Sequence, residues 1–122
     1  MKLHLDQSDG TFKIQRVDSD CVTINEKVYS HSIIVMPEYL SDWEAESFER
    51  LEMAHFEAVR VLRPEVVLLG TGHSIHFPAT ELLAPLYNEG IGVEVMDTRA
   101  ACRTYTILMA EGRGVAAALL FK

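Results

Sequence analysis

The sequence predicts one α/β domain over residues 1–122, with N-terminal β-strands followed by a β-α-β-α-β unit. Three observations predict it. The first third, from Thr11 to Met36, is rich in alternating or β-branched residues broken by turn formers. A helical spacing of apolar residues begins only after Pro37. From Glu65 onward, short apolar runs alternate with amphipathic stretches punctuated by glycine, as buried strands alternating with helices require.

Taken in order, Thr11 to Val17 alternates weakly, with Phe12, Ile14 and Val17 as its apolar members. A turn at Asp18-Ser19-Asp20 leads into a strand over Cys21–Ile24, and Asn25-Glu26-Lys27 is a hairpin connection. Val28 to Met36 is a long strand that Ser30, His31 and Ser32 interrupt, so a bend or change of partner midway is expected, and Pro37 ends it. Ser41 to Leu62 predicts the clearest helix: Phe48, Leu51, His55, Val59 and Leu62 recur at three- and four-residue steps. Ser41 with Glu44 matches a capping box, with Ser47 as an alternative start, and early acidic residues suit the positive helix end. Arg63-Pro64 stops it, because the residue before proline is pushed out of the helical region. Val66–Leu69 is a strand covered on both faces. Ala79–Glu89 is a helix that Pro85 should kink or shorten, with Gly90 as its stop. Gly92–Met96 is the next strand, Arg99–Ala110 a helix capped by Asp97 or Thr98, and Val115–Phe121 the last strand, its alanines packing close under a helix. Crossovers between the parallel strands are expected to be right-handed.

Composition bounds the function. Hydrophobic residues are 48% and charged residues 24%, enough for one core without disulfide or metal staples. Eleven Lys and Arg against 18 Asp and Glu give a net charge of −7, which disfavours nucleic-acid backbones as partners. No apolar run approaches the roughly 20 residues that span a bilayer, so no membrane insertion is expected. MKLHLDQSDG carries no signal or transit pattern. Cys21 and Cys102 form no C-x-x-C pair and point to reduced thiols in the cytoplasm.

Two loops should meet beyond the carboxyl ends of the strands, where ligands of open α/β sheets sit. Gly70-Thr71-Gly72-His73-Ser74 supplies flexible backbone donors and two hydroxyls; Asp97-Thr98-Arg99 opens a helix whose free N–H groups attract anions. A small anionic ligand fits that chemistry. The bland reading is a tight turn and a helix cap. Ile75 stands where a dinucleotide fingerprint needs its third glycine, and no lysine follows the glycines as in a P-loop. Cys102, one turn into the helix, is either a nucleophile with His73 or His76 as base or a small core residue. His73 and His76 lack a third metal ligand, Glu94 and Asp97 alternate onto opposite strand faces, and His55 sits on an apolar helix face. No catalytic constellation, metal site or cofactor is predicted. Trp43 with Tyr39 and Leu40 is either a partner patch or a packed staple.

The pieces LGTG at Leu69–Gly72, GIGVEVMDT at Gly90–Thr98, ACRTY at Ala101–Tyr105 and EGRGVAAAL at Glu111–Leu119 together resemble a known group. It is the small α/β family of otherwise uncharacterised proteins that includes the mitochondrial NADH dehydrogenase (complex I) assembly factor 3 and the adipogenesis-associated domain protein of animals. The resemblance covers most of the chain and is strongest from Glu65 to Leu120. It implies a three-layer β/β/α domain with a central mixed sheet and an extra β-layer, no established enzymatic activity, and action through protein partners. The chain departs from the family at Thr106, where Asn often follows the aromatic residue of the third helix. The resulting expectation is a cytoplasmic, bacterial, non-enzymatic interaction or assembly protein, acting on a protein partner or as a homodimer. The competing expectation is a ligand-binding protein or cysteine-dependent enzyme built on the Gly70–His73 loop and Cys102.

Overall fold

Buried strands that must satisfy every backbone donor organise this chain, and they do so in two sheets. The computed structural model describes residues 10–122. The stretch from Met1 to Asp9, including His4 and most of the segment read for targeting signals, lies outside the described residues. Strands β1 (Ile14–Val17), β2 (Val22–Ile24) and β3 (Lys27–Tyr29) form an antiparallel meander. Its second turn is only two residues long, since Ile24 pairs with Lys27. Asn25 and Glu26 have φ of 49° and 72°, the doubly left-handed geometry that suits the right-handed strand twist.

The long run after the hairpin divides at Ser30–Ser32, as its polar interruption predicts, and its second half changes sheet. Strand β4 (Ile33–Met36) pairs antiparallel with β8 (Val115–Leu120) on one side and with β5 (Tyr39–Asp42) on the other. Strand β6 (Val66–Thr71) runs parallel to β8 and to β7 (Gly92–Met96), giving the mixed order β5-β4-β8-β6-β7.

The predicted helix over Ser41–Leu62 is the main correction. Tyr39–Asp42 is an edge strand, Phe48–Arg50 a single 3-10 turn, and α1 covers only Met53–Arg60. The reason is the neighbouring strand: Ile33, Ile34 and Val35 are all buried, so the β4 backbone needs partners on both sides, and β5 supplies the second. The Ser41–Glu44 capping box is likewise replaced. The Glu52 N–H donates to His55 Nδ1 at 3.0 Å at the true helix start, so His55 is a capping residue. At the other end Arg63 takes a φ of 57° before Pro64. Pro85 divides its helix as expected, into a 3-10 turn (Thr80–Leu83) and a short α2 (Ala84–Tyr87). Helix α3 runs from Thr98 to Ala110.

Three layers result, as the family resemblance implies. On one face of the central sheet, Val67, Leu69, Ala118 and Leu120 pack against Phe56 and Val59 of α1 and Leu83 and Leu86 around α2. On the other, Val35, Leu68, Ala117 and Leu119 meet Val22 and Ile24 of the small sheet and Ala101, Cys102 and Tyr105 of α3. The small side chains Ala116, Ala117 and Ala118 are all fully buried, which lets both outer layers approach β8 closely. Trp43 is the packed staple: it is buried, donates from Nε1 to the His55 carbonyl at 3.0 Å and meets Phe56 edge-on at 5.9 Å.

Candidate functional site

The carboxyl ends of β6, β7 and β8 converge on one side chain, Thr98. Its hydroxyl donates to the Leu120 carbonyl at 2.5 Å and accepts the Gly72 N–H at 2.8 Å, while its own N–H donates to the Gly72 carbonyl at 2.9 Å. One buried threonine thus ties the ends of β6 and β8 to the start of α3. Gly70 is glycine because of it: a Cβ there would stand 3.0 Å from the Thr98 Cα and 3.1 Å from Leu119. Gly72 is glycine for its φ of 96°. Asp97 caps α3, its carboxylate accepting the Ala100 N–H at 2.8 Å. Thr71, also buried, donates its hydroxyl to the Ser74 carbonyl at 2.7 Å and accepts the His76 N–H at 3.1 Å, which shapes the loop that follows.

Of the residues singled out in the sequence, Gly72, His73, Asp97 and Thr98 line a cleft of about 120 Å³ together with Asp18 and Arg99. Gly70, Thr71 and Cys102 lie outside its lining. Helix-start and loop amides are engaged within the fold, at Gly72, Thr98 and Ala100. His73 is exposed, with Nε2 3.3 Å from a carboxylate oxygen of Asp20 in the turn between β1 and β2. The His76 ring meets the Phe48 ring at 5.3 Å between centroids, tilted by 40°. Cys102 is buried among Leu68, Ala117 and Tyr105, away from solvent. Burial pushes its thiol from 9.0 up to about 12, against the smaller lowering effect of the Arg99 and Arg103 charges. A nucleophilic cysteine needs the opposite shift. Thr106, where the sequence departs from the family, turns its hydroxyl back to the Cys102 carbonyl at 3.2 Å on its own helix. Among the described residues, no three His, Cys, Asp or Glu side chains gather as a metal site.

Three features went unnoticed in the sequence. Arg99 borders the cleft, as its place in the Asp97-Thr98-Arg99 loop suggests, but it also donates to the Val17 carbonyl at 3.3 Å, joining the small sheet to α3; an arginine one step past a helix start carries no local signal of that contact. Ile75 and Phe77 stand exposed on the loop after β6, and apolar residues between turn-forming neighbours were the available clue. A wider cleft, about 800 Å³, is at the opposite end of the parallel strands, bordered by Met36, Tyr39, Leu62, Met109 and Arg113. Nothing in the sequence marked it.

A model of a family described as protein of unknown function (DUF498/DUF598) matches residues 14–120. The chain belongs to that family. Among curated DUF498 relatives, the 13 kDa major membrane protein of Francisella tularensis is 24% identical over 80% of this chain and 80% of its own length. NADH dehydrogenase [ubiquinone] 1 alpha subcomplex assembly factor 3 of Xenopus tropicalis is 28% identical over 98% of this chain and 66% of its own, and that of Danio rerio is 36% identical over 70% and 51%. The chain therefore spans between half and two thirds of these assembly factors. Solved structures agree with the fold. A crystal structure from Bordetella parapertussis superposes with a TM-score of 0.87 at 36% identity, covering 93% of this chain and 98% of that one. A solution structure from Xanthomonas campestris gives 0.82 at 40% identity, covering 98% and 92%. A Bordetella pertussis protein described as an Mth938-like domain gives 0.79 at 33%, covering 98% and 92%. Among the described residues, no helix is long and apolar enough to cross a membrane.

Proposed function

We propose that this DUF498 member is a non-enzymatic interaction or assembly protein that acts by holding another protein. The observation that carries the reading is the match to the assembly factor 3 proteins, which in Xenopus tropicalis extends over 98% of this chain. The site chemistry supports it. The Gly72 N–H and the Thr98 N–H, which would greet a small anion, donate instead to the Thr98 hydroxyl and the Gly72 carbonyl, and the candidate nucleophile Cys102 is buried with its thiol raised. We assign Gly70, Thr71, Gly72, Asp97 and Thr98 to a structural clasp, with His73 on its exposed rim. Both cysteines are free, which supports a reducing, cytoplasmic location.

The test is in-cell crosslinking of the tagged full chain, followed by quantitative mass spectrometry of what copurifies. The expected result is one partner enriched reproducibly and in near-stoichiometric amount over a tag-only control. No enriched partner across replicates would sink the reading. Native mass spectra of the purified protein address the competing one: a stoichiometric small molecule retained through desalting would replace assembly with ligand chemistry, and the same spectra report whether a homodimer forms. Cell fractionation checks location, and recovery only in washed membranes would refute a cytoplasmic protein.

A further inference from the structure

We propose that the loop carrying Ile75 and Phe77, with the acidic segment beside it, is the docking surface for a cationic amphipathic segment of a protein partner. This deepens the interaction reading above and rests on it. Phe77 is 72% exposed and Ile75 47%. Single exposed apolar residues are ordinary. These two, however, alternate on one loop whose shape is fixed, because the Thr71 hydroxyl holds both the Ser74 carbonyl and the His76 N–H. An apolar pair on a loop ordered in advance loses little freedom when it is covered, the condition under which an aromatic anchor contributes most.

The neighbourhood selects the partner's charge. His76, between the two apolar residues, meets the Phe48 ring, and the Phe48 N–H reaches the carbonyl of Lys122, a residue that also lies against Gly72 at the loop's start, so the 44–52 segment touches the loop at Phe48. That segment exposes Glu44, Glu46, Glu49 and Glu52 around a shallow depression of about 410 Å³. Arg50, at 3.7 Å from Glu46, lies in that lining, and the exposed Lys122 borders a neighbouring depression with Glu46, so four carboxylates stand against two cations. An apolar anchor with an acidic flank complements apolar side chains flanked by lysine or arginine. The chain's net charge of −7 acts in the same direction, and it opposes approach to anionic lipid or nucleic acid.

The test uses the full chain and a fluorescently labelled amphipathic Leu/Lys peptide, with a Leu/Glu peptide of the same pattern as control. Binding is read by anisotropy and located by amide chemical-shift mapping. The expected result is that only the Leu/Lys peptide binds, that added salt weakens it, and that shifts gather at residues 73–77 and 44–52. Phe77→Ser should weaken binding about tenfold or more, and Glu46→Gln with Glu49→Gln should flatten the salt dependence. Thermal unfolding of the variants checks folding, since both sites are exposed. Equal binding of the Leu/Glu peptide, shifts centred on the Met36–Met109 cleft, or full affinity in a folded Phe77→Ser variant would overturn the assignment. So would Phe77-dependent binding to zwitterionic phosphatidylcholine vesicles in place of the peptide, or Phe77-dependent self-association in sedimentation. A natural complex that forms unchanged in Phe77→Ser would overturn this surface and leave the interaction function standing; absence of any complex would fell the function itself.

Discussion

Thr98 carries more of the strand-end geometry than any other side chain, and its removal is expected to register as instability. Thr98→Val keeps the volume but leaves the Gly72 N–H and the Leu120 carbonyl without their partner, at a cost of about 1–3 kcal/mol. Thr98→Ser retains the hydroxyl and should recover most of it; urea unfolding with an unchanged slope checks both. Gly70→Ala should lose a similar amount, because its Cβ would press on the Thr98 backbone, which cannot rotate aside. Neutral behaviour in all three variants would argue that these residues are kept for a ligand. The buried thiol makes a second residue-scale prediction. At pH 8 the folded protein should expose only Cys21 to a thiol reagent, with Cys102 reacting at the rate of unfolding. The pH dependence follows by sign. The unfolded thiol releases its proton near 9.0 and the folded one near 12, so between these values the native state binds more protons and stability falls as pH rises. Tyr105, buried with its hydroxyl donating to the Phe12 carbonyl at 2.7 Å, is raised as well and adds to the loss at still higher pH. Cys102→Ala should flatten the slope above pH 9, as measured by chemical unfolding across that range.

At the scale of elements, the hairpin between β2 and β3 places Glu26 at a φ of 72°, a region glycine occupies without strain. Glu26→Gly is expected to stabilise the protein by up to about 1 kcal/mol, visible as a rise in Tm. Asn25→Ala should do the reverse, since the Asn25 side chain accepts the Lys13 N–H at 2.9 Å and donates to the Thr11 carbonyl at 3.0 Å. Elements whose character is local were legible. The β7 strand occupies the residues that its β-branched alternation marks, and Pro85 and Gly90 act where their backbone limits say they must. The Tyr39–Asp42 strand was not legible, because its four residues also fit a helical register and only the unsatisfied edge of β4 decides between them. His55 shows the same limit: helical spacing placed it on an apolar face, while its capping bond to Glu52 depends on where the helix begins.

For the whole molecule, charge and surface set what can approach it. A chain at −7 that shows Phe77 and Ile75 to solvent invites a cationic, partly apolar partner and resists polyanions, and the peptide binding described above is the measurement that decides this. Retention of no small molecule in native mass spectra is the matching expectation for a cleft of about 120 Å³ whose neighbouring donors are already engaged.

The α/β class, the strand-helix alternation after Glu65 and the acidic charge are legible in the chain alone, because each rests on short-range spacing, backbone restriction or composition, and the family is legible through the resemblance of its motifs. Only the tertiary contacts reveal that Ser41 belongs to a strand and that Cys102 is buried. They also decide that Gly70 and Gly72 serve Thr98 and that His76, next to Phe77, meets Phe48. Each of those depends on a contact between residues far apart in the chain. The Gly72–Thr98 bond joins positions 26 apart and the Thr98–Leu120 bond positions 22 apart, distances over which local pattern carries no information about which donor meets which acceptor.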